Sequence, residues 1–275
     1  MNWNDMWVEA HERSPLRLTA ENEGKWTEYW SHCAEQYLQE IASEREFHRS
    51  IVDHLSQEGW LRGQDEVLDV GCGPGTYSIP IAMVARRVIG LDSSEGMLNS
   101  MMISAQREGL KNVNTRLANW DVTNEERQYD LVISAMSPAV RDRGGLLRME
   151  AASKRSCCYI TGASCDDMRH RNELWEKIVG PYNPSTAYDI IYPLNLLMGE
   201  GRYPEMKYMF HDMDVVLDPQ MVVENYKRYF RIFTEMSPRK DRVIEDYIME
   251  RTTDGVFHKH GRRGLVVLCW NIPGV

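Results

Sequence analysis

The chain lacks several features that would place a protein in a class at sight. No run of 18 or more apolar residues occurs anywhere in its 275 residues, so no membrane-spanning helix is expected. The N-terminus, Met1-Asn2-Trp3-Asn4-Asp5-Met6-Trp7, has no basic start followed by an apolar stretch and does not read as a signal peptide. The six cysteines, Cys33, Cys72, Cys157, Cys158, Cys165 and Cys269, never take C-x-x-C spacing. That argues against a zinc site and a disulfide framework, and fits reduced thiols in a cytoplasmic protein. Internal repeats, low-complexity tracts and long linkers are missing too. Positive charge is in deficit: 32 Lys and Arg against 41 Asp and Glu give a formal net charge of −9. An acidic chain is a poor match to a phosphate backbone, so no nucleic-acid partner is expected.

What is present is ordinary globular usage, with 43% hydrophobic and 27% charged residues. The chain is long enough to bury a sizeable core. Residues 1–63 read as helical and aromatic. Trp26, Tyr29, Trp30, Cys33 and Tyr37 recur at i, i+3, i+4, i+7 and i+11, which puts them on one helix face. Such a face packs on the body of the protein or forms the underside of a lid, and the two roles are compatible.

From Asp65 onward strands and helices alternate. Strands are expected at 67–70, 87–91, 112–117, 130–134 and 157–160, with helices at 76–85, 94–108 and 145–154. Alternation of this kind means βα units and a mostly parallel sheet. Further on, 169–179, 219–229 and 238–251 read as helices, the last two with a proline near the start, where a missing N–H costs least. Residues 208–217 read as a strand. Gly261-Arg262-Arg263-Gly264 reads as a turn into a final strand, Leu265–Trp270. An inserted cap is expected around 181–205, rich in tyrosine (Tyr182, Tyr188, Tyr192 and Tyr203).

The chemistry centres on Asp69-Val70-Gly71-Cys72-Gly73-Pro74-Gly75, which follows a strand and precedes a helix. Asp92 ends the next strand, about 20 residues past the loop, placed to accept hydrogen bonds from two ribose hydroxyls. Dinucleotide enzymes favour G-x-G-x-x-G, where a helix N-terminus meets a pyrophosphate. Here the spacing is G-x-G-x-G, with a carboxylate two positions before the first glycine. A pyrophosphate disfavours that neighbour, whereas a ligand carrying an ammonium and a sulfonium favours it. Asp69 therefore fits S-adenosylmethionine better than NAD.

The segment from Glu66 to Val140 resembles the class I S-adenosylmethionine-dependent methyltransferases. Val67 to Gly75 is similar to the family's first motif, and Val88-Ile89-Gly90-Leu91-Asp92-Ser93-Ser94 with Met97 to its second. Ala118-Asn119-Trp120-Asp121 falls where the family contacts adenine, and Tyr129–Ser134 resembles the strand at the reactive edge. The resemblance implies an α/β, Rossmann-like, doubly wound and mostly parallel sheet of seven strands, the last antiparallel. It also implies a helical N-terminal cap over 1–63 and a methyltransferase domain over 64–275. S-adenosyl-L-methionine is the implied methyl donor. Gly71, Cys72, Gly73 and Gly75 would wrap its methionine part, and Asp69 would support the loop and help hold the amino group. Asp92, assisted by Ser93, would bind the ribose. Met97 would pack on the adenine, although ordinary core packing also explains it. Asn119 and the Trp120 backbone would bind the adenine edge, with Trp120 otherwise a packing anchor. Ser134 to Met136 would lie near the methionine end.

Methyl transfer from a sulfonium is an in-line displacement, so a base is needed only if the acceptor holds its proton. No catalytic dyad stands out, and Ser137, Tyr29 and Trp30 are positioning candidates. Met136-Ser137-Pro138-Ala139 lacks the aromatic that family members use to stack a flipped base, which favours a small-molecule acceptor. His211-Asp212-Met213-Asp214 and His258-Lys259-His260 each want a third ligand nearby in sequence; they read as surface polar residues, and no metal is expected. The rival reading is a partner or sensor that binds the cofactor and transfers nothing, with a nicotinamide oxidoreductase more distant. The accepting atom and the oligomeric state, a homodimer included, stay open.

Overall fold

The computed structural model describes residues 2–14, 17, 19, 21–165, 169–181 and 187–274, with the backbone alone at 34–43, 164 and 165. Five strands run parallel: β1 (Glu66–Val70), β2 (Arg87–Asp92), β3 (Val113–Leu117), β4 (Tyr129–Ala135) and β5 (Ser153–Cys165). Next to β5 lies β8 (Val256–Asn271), antiparallel, and β6 (Glu205–Leu217) pairs antiparallel with β8 at the sheet edge. The order is β3-β2-β1-β4-β5-β8-β6, with a two-residue β7 (Thr252–Thr253) attached to the start of β8. Apart from that stub, this is the expected seven-stranded sheet whose last strand alone runs against the others.

The central strands are nearly continuous apolar runs because helices cover both faces of a parallel sheet. Val67, Leu68, Val88, Leu91, Leu131, Val132 and Ile133 are all buried. One face is covered by α3 (Arg45–Gln57), α4 (Ser78–Ala82) and α5 (Glu95–Arg107), through Ile51, Leu55, Ile81 and Met101. The other carries α1 (Trp3–Glu12), α6 (Arg143–Ala152) and α8 (Ile191–Gly199), through Trp7, Leu146 and Leu197, packed with Trp270 of β8. Trp7 also donates its Nε1–H to the Ala187 carbonyl at 2.8 Å. Within residues 1–63, then, α1 and α3 bury their apolar faces in the two main core layers. The aromatic face belongs to α2 (Glu23–Ser43).

A third cluster builds the cap. It joins Trp26 of α2, Trp175 of α7 (Arg169–Ile178), Val222, Tyr229 and Phe230 of α9 (Pro219–Arg231), and Ile244 and Ile248 of α10 (Pro238–Met249). Phe257 and Leu217, from the ends of β8 and β6, close it. α9 has the spacing this requires, with Val222, Tyr226 and Tyr229 on one stripe. Asp218 and Ser237 cap α9 and α10, each followed by proline at the first turn. This cluster therefore draws on α2, within the expected N-terminal cap, and on helices either side of the expected insertion. Of the four tyrosines expected to cap the site, Tyr188 lines the cavity described below, Tyr192 is buried in the second core layer, and Tyr203 is 85% exposed. Tyr182 lies outside the described residues. The apolar residues of α8 carry Tyr192 under α1 instead of over the cleft.

Gly261–Gly264 forms no turn. Gly261 pairs with Met213 and Gly264 with Phe210, so β8 runs on as one strand. Continuous pairing with the 13-residue β6 outweighs the local turn preference of the glycines. The expected helix at 76–85 is likewise only the five residues of α4, preceded by turns that continue the glycine loop.

α2 is seated by a close helix crossing on α5. A Cβ at Gly96 would lie 2.8 Å from the Ser31 Cα, and the Ser31 and Ser94 hydroxyls are 2.9 Å apart. Gly96→Val forces backbone apart here. The expected result is a loss of about 1–3 kcal/mol in urea unfolding and a red shift of tryptophan fluorescence as Trp26 and Trp30 gain water. Unchanged stability and emission would show that the crossing does not hold α2.

Candidate active site

A cavity of about 390 Å³ opens at the C-terminal ends of β1, β2 and β4. That is the crevice where strand order reverses in a doubly wound sheet. Its floor is the glycine loop. Gly71 and Gly73 have φ of +66° and +54°, a region costly for other residues. A Cβ on Gly71 would sit 1.9 Å from Ser137 Oγ, whereas one on Gly73 would meet no atom within 4 Å. The loop thus closes against the segment that follows β4 at its first glycine and leaves space for a ligand at its second. Gly75 does not line the cavity; its Cα packs where a Cβ would strike Met101 and Ile79.

Two carboxylates flank this loop, Asp69 buried and Asp92 partly buried. Asp92 accepts the Gly73 N–H and the Ser94 N–H, each at 2.9 Å. Burial raises its pKa, and these amides act in the opposite sense. Asp69 is 2% exposed and accepts the Ser78 hydroxyl at 2.5 Å. Burial first, and the charge of Asp92 second among the raising causes, push Asp69 up to about 7 against the pull of Ser78. Burial also pushes the Cys72 thiol up, so it stands as a neutral wall residue. Ser78 escaped the sequence reading; its signal was a hydroxyl in the first turn after the loop, on the side of β1 that carries Asp69.

Ser93, Met97, Asn119 and Trp120 all line the same cavity. Asn119 accepts the Asp121 N–H at 3.0 Å and donates to Glu23 of α2 at 2.8 Å. Trp120 is buried, and its Nε1–H has no hydrogen-bond partner among the described residues. Ser134 is not brought to the cavity. Its side chain is fully buried and donates to the Val70 carbonyl at 3.0 Å, tying β4 to β1. Ala135, Met136 and Ser137 are the cavity residues from this edge. Met136 has φ of +48°, a strained conformation held by its N–H bond to Ile160.

The far end of the cavity is aromatic. Trp26 and Trp30 stack with ring centroids 5.9 Å apart, and Tyr29 meets Tyr229 edge-on at 5.9 Å. Tyr226 and Phe257 complete the wall. Burial holds the Tyr29 phenol well above its ordinary value, so it stays protonated. The Tyr37 side chain lies outside the described residues. Beneath the aromatics is a polar cluster assembled from segments far apart in the chain. Arg263 pairs with buried Glu44 at 2.5 Å, and His48 Nδ1 lies 3.3 Å from the Tyr77 hydroxyl. Burial first, with Arg263 and His211, lowers His48 to about 3, so its imidazole is neutral. Arg171 and Lys259 also line the wall.

The donor set fits S-adenosylmethionine: open space over Gly73, two carboxylates for its positive and hydroxyl-bearing parts, and an unsatisfied indole N–H beside Asn119.

Comparison with known proteins agrees. A family model described as a methyltransferase domain matches residues 67–149. An uncharacterized protein of Haemophilus influenzae is 32% identical over 225 residues, which is 78% of this chain and 79% of that one. A 23S rRNA (uracil(1939)-C(5))-methyltransferase of Legionella pneumophila is 33% identical over 106 residues, 38% of this chain but only 23% of that protein. Among solved structures, a candidate methyltransferase of Bacillus halodurans superposes with a TM-score of 0.52 at 16% identity, covering 82% of this chain and 99% of that one. Magnesium protoporphyrin IX methyltransferase of Synechocystis, solved with S-adenosylhomocysteine, gives 0.50 at 15% identity, covering 82% of this chain and 83% of that one. The chain carries a methyltransferase domain and shares the fold of the class I S-adenosylmethionine-dependent methyltransferases.

The folded protein keeps the Asp69 proton up to about pH 7, the unfolded chain only to about its ordinary value of 3.8. The stability this group contributes is full below 3.8 and is lost as pH rises through 7. Asp69→Asn keeps a partner for Ser78 and carries no charge. Without cofactor, the variant should exceed the parent in stability by about 2–4 kcal/mol near pH 8 and match it near pH 4. Urea midpoints across that range check this, and parallel pH slopes would refute it.

Proposed function

We propose that this methyltransferase acts on a small molecule held between the glycine loop and the cap. The observation that carries this reading is the acceptor end of the cavity, walled by aromatic side chains from α2, α9 and β8. A ligand pocket of that kind is largely apolar with a few placed polar groups. Asp92 holds the ribose hydroxyls, Asp69 the amino group, and Asn119 with the Trp120 backbone the adenine edge. The cofactor supplies an electrophilic methyl. The protein's share of the rate comes from placing the acceptor in line with it and excluding water.

Tyr29, Trp30 and Ser137 are the positioning residues on this reading, since all three line the cavity. Tyr29 stays a hydrogen-bond donor because burial keeps its proton in place. Arg171, hydrogen-bonded only to the Asn172 side chain among the described residues, offers a cation to an acidic group on the acceptor. A cytoplasmic setting suits Cys72, Cys157, Cys158 and Cys269, which are buried and form no disulfide among the described residues.

An RNA acceptor is the second reading, favoured by the match to an rRNA methyltransferase. The net charge of −9 weighs against it. Incubation with methyl-labelled cofactor and two fractions of a cell extract, small metabolites and total RNA, separates the readings. Label should enter the small-molecule fraction, with a product heavier by one methylene. Label confined to RNA, or entering neither fraction, would overturn the proposal.

A further inference from the structure

Neither histidine cluster takes part in the methyl-transfer site, and each lacked a third ligand when read along the chain. Strand pairing supplies one. In the β6–β8 ladder Asp214 stands opposite His260, and His258 lies two residues along the same strand. Period two puts both imidazoles on one face of the sheet. Asp214 Oδ1 is 3.0 Å from His260 Nδ1 and 3.5 Å from His258 Nδ1. The two rings lie side by side, their centroids 5.2 Å apart and their planes within 8°. One ligand atom from each of the three residues falls within 4.8 Å of the other two. Among the described residues no other group of three His, Cys, Asp or Glu does this. His211 does not join; it stacks on Phe47, 5.1 Å away and nearly parallel.

We infer that Asp214, His258 and His260 form a binding site for a divalent transition-metal ion. Ligand atoms about 2.0–2.1 Å from a tetrahedral zinc stand ~3.3 Å from one another. The two carboxylate-to-imidazole separations bracket that spacing, and the three ligand atoms all lie within 4.8 Å of one another. Two imidazoles and one carboxylate suit zinc, nickel, cobalt or copper, whereas magnesium and calcium want oxygen ligands. All three side chains are open to water, so entry is unobstructed and the remaining coordination positions go to solvent or an added ligand.

The ion ties β6 to β8 behind the cavity. Lys259, between the two histidines, and Phe257 turn to the opposite face of β8 and line the cavity wall. Binding to the folded state alone stabilises it by mass action.

Chelator-treated full-length protein should be titrated calorimetrically with zinc sulfate, then with nickel chloride and magnesium chloride. Zinc and nickel should bind at one ion per chain and raise the unfolding temperature, and magnesium should do neither. His258→Ala and His260→Ala should each weaken zinc binding at least tenfold, and the double variant should abolish both binding and the thermal shift. Circular dichroism and cooperative unfolding of the variants report an intact fold. Cobalt(II) should give visible absorption in the parent that the double variant lacks. Failure of zinc and nickel to bind the parent, or binding that survives in the double variant, would overturn the inference.

Discussion

Two carboxylates at the head of one cleft, Asp69 buried and Asp92 partly buried, organise the loop between them. Asp92 holds the glycine loop to the start of α5 by accepting one amide from each. Asp69 holds the loop to α4 through Ser78. Burial makes each costly to keep ionised, and the charge of Asp92 adds to the cost at Asp69. A ligand that brings an ammonium, a sulfonium and ribose hydroxyls relieves that cost, whereas a pyrophosphate would add to it. The glycine conformations, the space over Gly73 and the bond from Asn119 to α2 all border the same cleft.

The cap follows from a second constraint. The main sheet satisfies its two faces with α1, α6 and α8 on one side and α3, α4 and α5 on the other. The C-terminal half of β6 and the first residues of β8 run past these layers and need apolar cover of their own. α7, α9, α10 and the aromatic face of α2 provide it, in a third core beside the cleft. Because that core shares Trp26 and Tyr229 with the cavity wall, the packing that stabilises the cap also shapes the acceptor end. Glu23 and Ser31 bind α2 to the cofactor half from the other side. The cap and the cleft are therefore coupled through one helix.

Local chemistry was legible in the sequence, and contacts between distant segments were not. β1, the glycine loop and Asp92 lie within 30 residues and carry their roles in spacing alone. The sheet order followed because alternating strands and helices admit few right-handed arrangements. The Glu44–Arg263 pair and the Asp214–His260 register join residues far apart in the chain, and no periodicity announces them. Tyr188, Tyr192 and Tyr203 look alike as residues, yet of the three only Tyr188 lines the cavity. Their burial depended on α8 sliding under α1, a tertiary choice. Ser134 was misplaced for a related reason: alternation along β4 turned its hydroxyl to the Val70 carbonyl.

The most direct test is calorimetric titration with S-adenosylhomocysteine, of the parent and of Asp92→Ala, with NADH as control. The account predicts one site per chain in the parent, no binding of NADH, and a loss of about 100-fold or more in Asp92→Ala, as expected for hydrogen bonds to a partly buried charge. Equal affinity of parent and variant for S-adenosylhomocysteine, or binding of NADH in its place, would contradict it.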